Sequence, residues 1–158
     1  MFLRLLTFLL MIVFCTSCDK LSFSKNTQKS TLDTIVDYSS VDTFPSFKEC
    51  DSIIDKNQKS TCFRNTIHQK IGEELQKNTF TIKDSIDEVI YVYLLINSNG
   101  IFSLDSIQSS LKIKTEIPSL DSVIKASIKK LPKIFPANKR GIPVTTKYQL
   151  PIRIQLKD

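Results

Sequence analysis

Apolar and polar residues alternate almost without interruption over the last segment of the chain, residues 144–156. Tyr148, Leu150 and Ile152 fall on the same side as the other apolar residues, while lysine, glutamine and arginine occupy the opposite side. A period of two predicts a half-buried strand. Pro151 lies inside this strand and cannot donate to a hydrogen-bonded ladder, so we expect the strand at a sheet edge or with a bulge.

Two helices are predicted from apolar residues that recur at helical spacing. In residues 62–78 the apolar positions repeat every four residues and form one stripe. The members of this stripe are Phe63, Ile67, Ile71 and Leu75. In residues 118–131 the apolar side chains again share one face, and Pro132 ends the helix because proline cannot continue it.

The segment between the two predicted helices has the composition of paired strands. Residues 88–97 carry β-branched and aromatic side chains on both faces, which suits the middle of a sheet. Asn99 and Gly100 follow and give a strong hairpin signal, because both tolerate a positive φ. Residues 101–108 would form the returning strand. This order of elements predicts a small α+β domain in which two helices pack on one face of a three-stranded antiparallel sheet.

The start of the chain has the pattern of an export signal. Arg4 precedes an apolar run over residues 5–15, which is shorter than the ~20 residues that a membrane-spanning helix needs. The small residues Thr16 and Ser17 then precede Cys18, and this arrangement resembles the motif that a lipoprotein signal peptidase accepts. The pattern favours cleavage before Cys18 and lipidation of that cysteine.

These features divide the chain into three parts. We expect residues 1–17 to be a lipoprotein signal peptide, residues 18–43 a flexible polar tether, and residues 44–158 the globular domain. The lipid on Cys18 would provide a stable membrane anchor. Ordinary secretion with cleavage nearby and an uncleaved membrane anchor are the alternatives.

Two cysteines remain in the expected domain. Cys50 and Cys62 would lie in an oxidising compartment, where a disulfide is favoured over two free buried thiols. A metal site is not expected, because the single histidine, His68, and two cysteines do not complete a tetrahedral set of ligands. His68 lies beside the apolar stripe of the first helix and is interpreted as a surface or boundary residue.

The overall charge is mildly basic and argues against several function classes. The formal net charge is +6, and the lysines are spread along the chain without an arginine-rich block. Nucleic-acid binding is therefore not expected. Because no catalytic triad, paired-carboxylate motif or phosphate loop is visible, neither an enzyme nor a cofactor is expected. A solvated surface or attraction to anionic lipids and cell-wall polymers accounts for the charge.

Several short motifs of the expected domain occur together in one known family. In the last third they are Leu131-Pro132-Lys133, Gly141-Ile142-Pro143-Val144 and Tyr148-Gln149-Leu150-Pro151-Ile152; upstream they are Phe44-Pro45, Cys50, Cys62-Phe63 and the turn Asn97-Ser98-Asn99-Gly100. In these motifs the chain resembles the C-terminal domain of TonB-type energy transducers. The match covers about the last 115 residues and is closest to the cysteine-containing branch of the family.

The resemblance implies a binding function. In the family, a short extended segment of an outer-membrane receptor adds to the sheet edge formed by the last strand. Carried over to this chain, the docking residues would be Val144, Thr145, Thr146, Lys147, Tyr148, Gln149 and Arg153. The alternative is that Lys147, Pro151 and Arg153 merely guard this edge against unwanted pairing.

The sequence leaves three functions to compare. We favour a lipid-anchored protein of the Gram-negative cell envelope, on the periplasmic side or at the outer membrane, that binds a receptor segment or another envelope protein. A true energy transducer would need an uncleaved anchor joined to the inner-membrane motor, which cleavage before Cys18 would sever. A structural envelope lipoprotein that docks through its basic surface is the third possibility.

Overall fold

The computed structural model of this protein describes residues 35–157. The expected signal peptide, the lipidation site Cys18 and most of the expected tether lie outside the described residues. Residues 35–43, which the sequence assigns to the tether, pack against the domain. Within them Val41 is buried, and Thr43 forms a β-bridge with Asn138.

A mixed β-sheet forms one layer of the domain. The strands are β1 (Ile35–Asp37), β2 (Ile86–Ile96), β3 (Phe102–Gln108), β4 (Ala137–Lys139) and β5 (Ile142–Leu156). Strand β2 lies between β3 and β5 and is antiparallel to both. Strand β1 pairs in parallel with the outer side of β5, and β4 pairs antiparallel with the beginning of β5.

The described residues contain three α-helices. Two short 3-10 turns, Tyr38–Ser40 and Lys48–Cys50, precede them. The helices are α1 (Lys56–Gln76), α2 (Leu111–Glu116) and α3 (Leu120–Lys129). Helix α1 begins six residues before the predicted start at residue 62, because the Asp55 side chain caps it by accepting a hydrogen bond from the Gln58 backbone N–H at 2.8 Å.

The small α+β class is confirmed, but the predicted three-stranded antiparallel sheet is not, because the sheet contains five strands and is mixed. The two additional strands, β1 and β4, have three residues each. Elements this short carry no readable period, and their pairing with β5 defines them as strands. Helix α2 was also not predicted, since its six residues contain a single buried position, Ile113.

The core lies between α1, α3 and one face of the sheet. The predicted stripe of α1 is buried in full, as are Leu120, Ile124 and Ile128 of α3. From β2 the even-numbered apolar residues point into the same core, and from β5 Leu150 does so. Burial of this apolar surface is the main stabilising contribution to the fold.

The predicted hairpin between β2 and β3 is present, but its backbone differs from the expected one. Gly100 has a φ of +76°, whereas Asn99 does not have a positive φ. The Asn97 side chain accepts hydrogen bonds from the N–H groups of Asn99 and Ile101, at 3.0 and 2.9 Å. This Asx-type turn lengthens the loop, so that only the glycine needs the left-handed conformation.

The predicted disulfide is confirmed. Cys50 and Cys62 are bonded, with 5.8 Å between their Cα atoms, and the bond joins the second 3-10 turn to the first half of α1. The segment that leads into α1 is thereby fixed beside the core residues Phe47 and Phe63, whose ring centroids are 5.4 Å apart. Closure of a loop of this length stabilises by roughly 3 kcal/mol in the chain-entropy model.

Candidate functional site

The candidate docking edge is the outer side of β5, the side that faces away from β2. Strand β2 pairs with β5 without a register shift, from Ile96 opposite Thr146 to Ile86 opposite Leu156. On the outer side β1 pairs only with Thr145, Thr146 and Lys147. Beyond Lys147 no strand of the described residues pairs with this side, so the edge is open over residues 148–156.

The structure divides the docking residues expected from the sequence into two groups. Val144 pairs with Ala137 of β4, and Thr145, Thr146 and Lys147 are paired with β1. Thr145 and Thr146 are also buried, with 4% and 0% of their surfaces exposed. Tyr148, Gln149 and Arg153 lie in the open part of the edge. An added strand could therefore pair with these last three without displacing β1.

An aromatic cluster closes the first half of the edge. The ring of Tyr38 stacks on Phe44 at 4.7 Å and lies 5.1 Å from the ring of Tyr148. Tyr148 in turn makes an edge-to-face contact with Phe63 of α1 at 5.2 Å. These contacts hold the segment that follows β1 against β5 and α1.

Burial changes the acidity of the two tyrosines in this cluster. Loss of solvation raises the pKa of Tyr38 to about 12, and burial also raises the pKa of Tyr148. The Tyr38 hydroxyl is buried near Ser60 without making a hydrogen bond of ordinary geometry. Both phenols are therefore neutral at physiological pH and serve as packing groups.

Pro151 shows which backbone groups face the open edge. It pairs with Tyr91 inside the continuous β2–β5 ladder, although it has no N–H to donate. In an antiparallel ladder such a residue fits where the backbone polar groups point away from the partner strand. Gln149 and Arg153 have the same parity, so their N–H and C=O groups also point outward, with a gap in donors at Pro151.

Ion pairs cover the face of the sheet opposite the helices. Arg153 donates to both carboxylate oxygens of Asp87, with both distances 2.7 Å, and Lys147 lies 2.6 Å from Asp105. Hydrogen bonds from Arg153 and Lys147 lower the pKa values of Asp87 and Asp105. Two of the basic side chains on β5 are thus already paired within the domain, and they are not free charges for a partner.

Helix α1 runs along β5 and presents a different surface at the edge. Phe63 meets Tyr148 near the start of the helix, and Gly72 lies near Ile152 toward its end. Between them Arg64 and His68 lie on the same side of the helix. Burial, with a smaller contribution from the Arg64 charge, lowers the pKa of His68, so this histidine is neutral at physiological pH.

An apolar groove of about 300 Å³ lies between the C-terminal half of α1 and the end of β5. Gly72 forms part of its wall, and a Cβ atom at this position would meet nothing within 4 Å. The other lining residues are Leu75, Gln76, Asn78, Phe80, Leu120, Ile152, Arg153, Ile154, Gln155 and Leu156. Sequence reasoning missed this groove, although a glycine inside a strong helical pattern was a signal for it.

Residues 35–157 contain no group of three or more His, Cys, Asp or Glu side chains that could hold a metal ion. In the same residues no helix is both long and apolar enough to span a membrane. The distinguishing feature of the domain is thus its partly closed strand edge with an apolar groove beside the open part.

No protein-family model, curated protein or solved structure matches the chain. The fold and the edge define a small disulfide-bonded α+β domain with a candidate docking strand, while the resemblance to the TonB family rests on the sequence motifs.

Proposed function

We propose that this protein is a membrane-anchored envelope lipoprotein whose TonB C-terminal-like domain binds a partner by strand addition. The lipid on Cys18 would hold the domain at its membrane, and the partner would be an extended segment of an outer-membrane receptor or of another envelope protein. Binding of this kind takes its affinity from main-chain hydrogen bonds along the edge and its specificity from side-chain pockets.

The observation that carries this proposal is the open edge of β5 over residues 148–156. An unpaired edge of this length is a template for another strand, and proteins without such a use usually shorten or cover it. The parallel pairing of β1 with Thr145, Thr146 and Lys147 supports the proposal further. The same side of β5 already accepts an extended segment of its own chain, so its geometry suits an added strand.

Site-specific photo-cross-linking tests this function in the producing bacterium. A photo-reactive residue replaces Gln149 on the open edge or, as a control, the exposed Lys125 on α3. We expect the edge position to cross-link to one extended segment of an envelope protein, identified by peptide mass spectrometry, and the helix position to leave that segment unlabelled. Labelling of the same segment from both positions would contradict docking at the edge.

A backbone change separates strand addition from side-chain contact. Gln149→Pro removes one outward N–H group, and we expect it to abolish capture of the cross-linked segment while the domain stays folded, as it does with Pro151. Gln149→Thr keeps the N–H group and should retain capture. If the two variants captured the partner equally well, main-chain pairing at this edge would be refuted. Thermal melts of both variants provide the folding control.

The mass of the native protein tests the anchor. A chain that begins at an acylated Cys18 would support the lipoprotein and would exclude a transducer joined to the inner membrane through an uncleaved helix. A chain of full length would make the transducer the better proposal.

A further inference from the structure

We propose that the groove beside β5 receives an apolar side chain of the docked strand, and that Arg64 pairs with an acidic side chain about four residues away on the same strand. This inference rests on the function proposed above and specifies the chemistry of the partner. The partner segment would be extended, apolar at the groove and negatively charged near Tyr148.

The open part of β5, from Ile152 to Leu156, forms one wall of the groove. Arg153 and Gln155 line it, although their side chains belong to the face of the sheet opposite the helices. Their part of the groove wall is therefore the backbone of β5. The N–H and C=O groups that face the open edge belong to the same backbone. A strand that pairs with this backbone would direct alternate side chains toward α1, into the space beside Gly72.

The walls of the groove select for an apolar side chain. Leu75, Ile152 and Ile154 contribute aliphatic surface, and Gly72 contributes no side chain at all. A volume of about 300 Å³ exceeds what one aliphatic side chain displaces. Burial of such a side chain from water is favourable. A charged side chain would lose its hydration there, and Arg153, the charged residue that lines the groove, is already paired with Asp87.

Arg64 supplies the charge at the other end of the open edge. It is exposed, and none of the ion pairs among the described residues includes it. It directly follows Phe63, whose ring lies 5.2 Å from that of Tyr148, so it lies near the boundary between the closed and open parts of the edge. A carboxylate on a partner strand opposite Tyr148 would meet this guanidinium group.

The spacing of the two features fits a single extended strand. Arg64 and Gly72 are eight residues apart on α1, which corresponds to about 12 Å along a helix axis. Four residues of an extended strand span about 13 Å. Because α1 runs alongside β5, an acidic residue and an apolar residue four positions apart on a docked strand would reach Arg64 and the groove together.

The test selects peptides on the whole mature protein, purified in detergent, with a display library of random linear peptides about a dozen residues long. We expect the enriched peptides to share an acidic and an apolar residue at this spacing. Gly72→Leu, which fills the groove, should weaken the binding of a labelled enriched peptide by at least about tenfold. Gly72→Ala, the matched control, leaves most of the groove free and should change binding little.

The charge is tested independently of the groove. Arg64→Glu should weaken the binding of the same peptide. Replacement of the acidic residue of the peptide by lysine should restore binding to this variant. The contribution of the pair should also decrease as salt is raised. Since Arg64 is exposed, this variant keeps the test decisive even if Gly72→Leu fails to fold.

The outcomes separate this inference from the proposed function. Peptides that lose binding to Gln149→Pro, but bind wild type, Gly72→Leu and Arg64→Glu equally, would overturn the groove and the charge while leaving strand addition intact. Peptides that bind Gln149→Pro as well as wild type, or the absence of any enriched peptide, would overturn both.

Discussion

The two halves of β5 have the same backbone conformation but opposite environments. Residues 142–147 are flanked by β4 and β1, and the side chains of Thr145 and Thr146 are buried there. Residues 148–156 are paired with β2 alone, and beside them lie a groove and an exposed arginine of α1. One strand thus contains both a completed and an incomplete part of the same sheet.

The two halves are held in place by different parts of the molecule. The closed half is held by contacts from distant parts of the sequence, above all the 38–47 segment and the 134–139 segment. The open half is kept from indiscriminate pairing by Pro151 and by the charged pair of Arg153 with Asp87. The closed half is therefore paired with β4 and β1, whereas among the described residues the open half pairs with β2 alone. The following predictions test this division.

The largest expected effect comes from Gly100→Ala, which would break the closed half. A Cβ atom at Gly100 would lie 1.8 Å from the carbonyl oxygen of Ile134, and the backbone φ of +76° disfavours any L side chain. Ile134 must then move, although its N–H donates to Gly100 at 3.0 Å and the next residue pairs with Ser46. We expect a loss of about 3 kcal/mol or more in the free energy of unfolding, measured by urea denaturation.

Gly141→Ala is the matched control for this change. Gly141 has nearly the same φ, +75°, but a Cβ atom there would meet nothing within 4 Å. Gly141→Ala should therefore lower the free energy of unfolding only by the cost of the left-handed conformation, roughly 1–2 kcal/mol. Equal losses for both variants would show that the contact with Ile134 does not hold the closed half together.

The sequence predicted the elements that have a period. The stripe of α1 and the alternation of β5 each extend over several turns or pleats, so that one or two irregular residues do not hide them. The Cys50–Cys62 disulfide was likewise predictable from the sequence, because the expected export signal and lipidation site left one pair of cysteines in the domain. These local signals were sufficient for the fold class and for the long strand β5. Its expected place at a sheet edge holds only beyond Lys147, because β1 pairs with residues 145–147.

The sequence did not predict how much of the edge is covered. Strand β1 is three residues long, and its pairing partner lies more than a hundred residues away, at Thr145. Strand β4, which leads into β5 through the turn at Arg140 and Gly141, was also not predicted, because its three residues carry no readable period. The groove arises from the packing of α1 on β5, and such tertiary spacing leaves no mark on periodicity.

The pH dependence of the free energy of unfolding tests the burial of Tyr38 beside the closed half of β5. Its pKa is raised to about 12 in the folded protein, against 10.0 for an ordinary tyrosine. Between these values the unfolded chain releases this proton while the folded chain keeps it. The free energy of unfolding should therefore fall by about 1.4 kcal/mol per pH unit from pH 10 to 12. Below pH 10 this contribution is fully present.

Tyr38→Phe isolates this effect from those of the other groups of the protein. The phenylalanine ring keeps the stacking on Phe44 but has no ionisable proton, so its denaturation curves should depend less on pH above 10. At neutral pH the two proteins should be similarly stable, because the buried hydroxyl makes no well-formed hydrogen bond. An identical pH dependence in both proteins would mean that Tyr38 is not buried against Tyr148 of β5 and Phe63 of α1.

The smallest expected effect tests the open half, with Gly72→Ala. Glycine inside a helix is less favourable than alanine by about 1 kcal/mol, and the new methyl group would enter free space beside β5. The variant should therefore be more stable than wild type by about this amount, measured by thermal and urea denaturation. A loss of stability instead would show that Gly72 is needed for close packing, and that the second half of β5 is closed like the first. A gain in stability would mean that glycine at position 72, beside the groove, makes α1 less stable than alanine would.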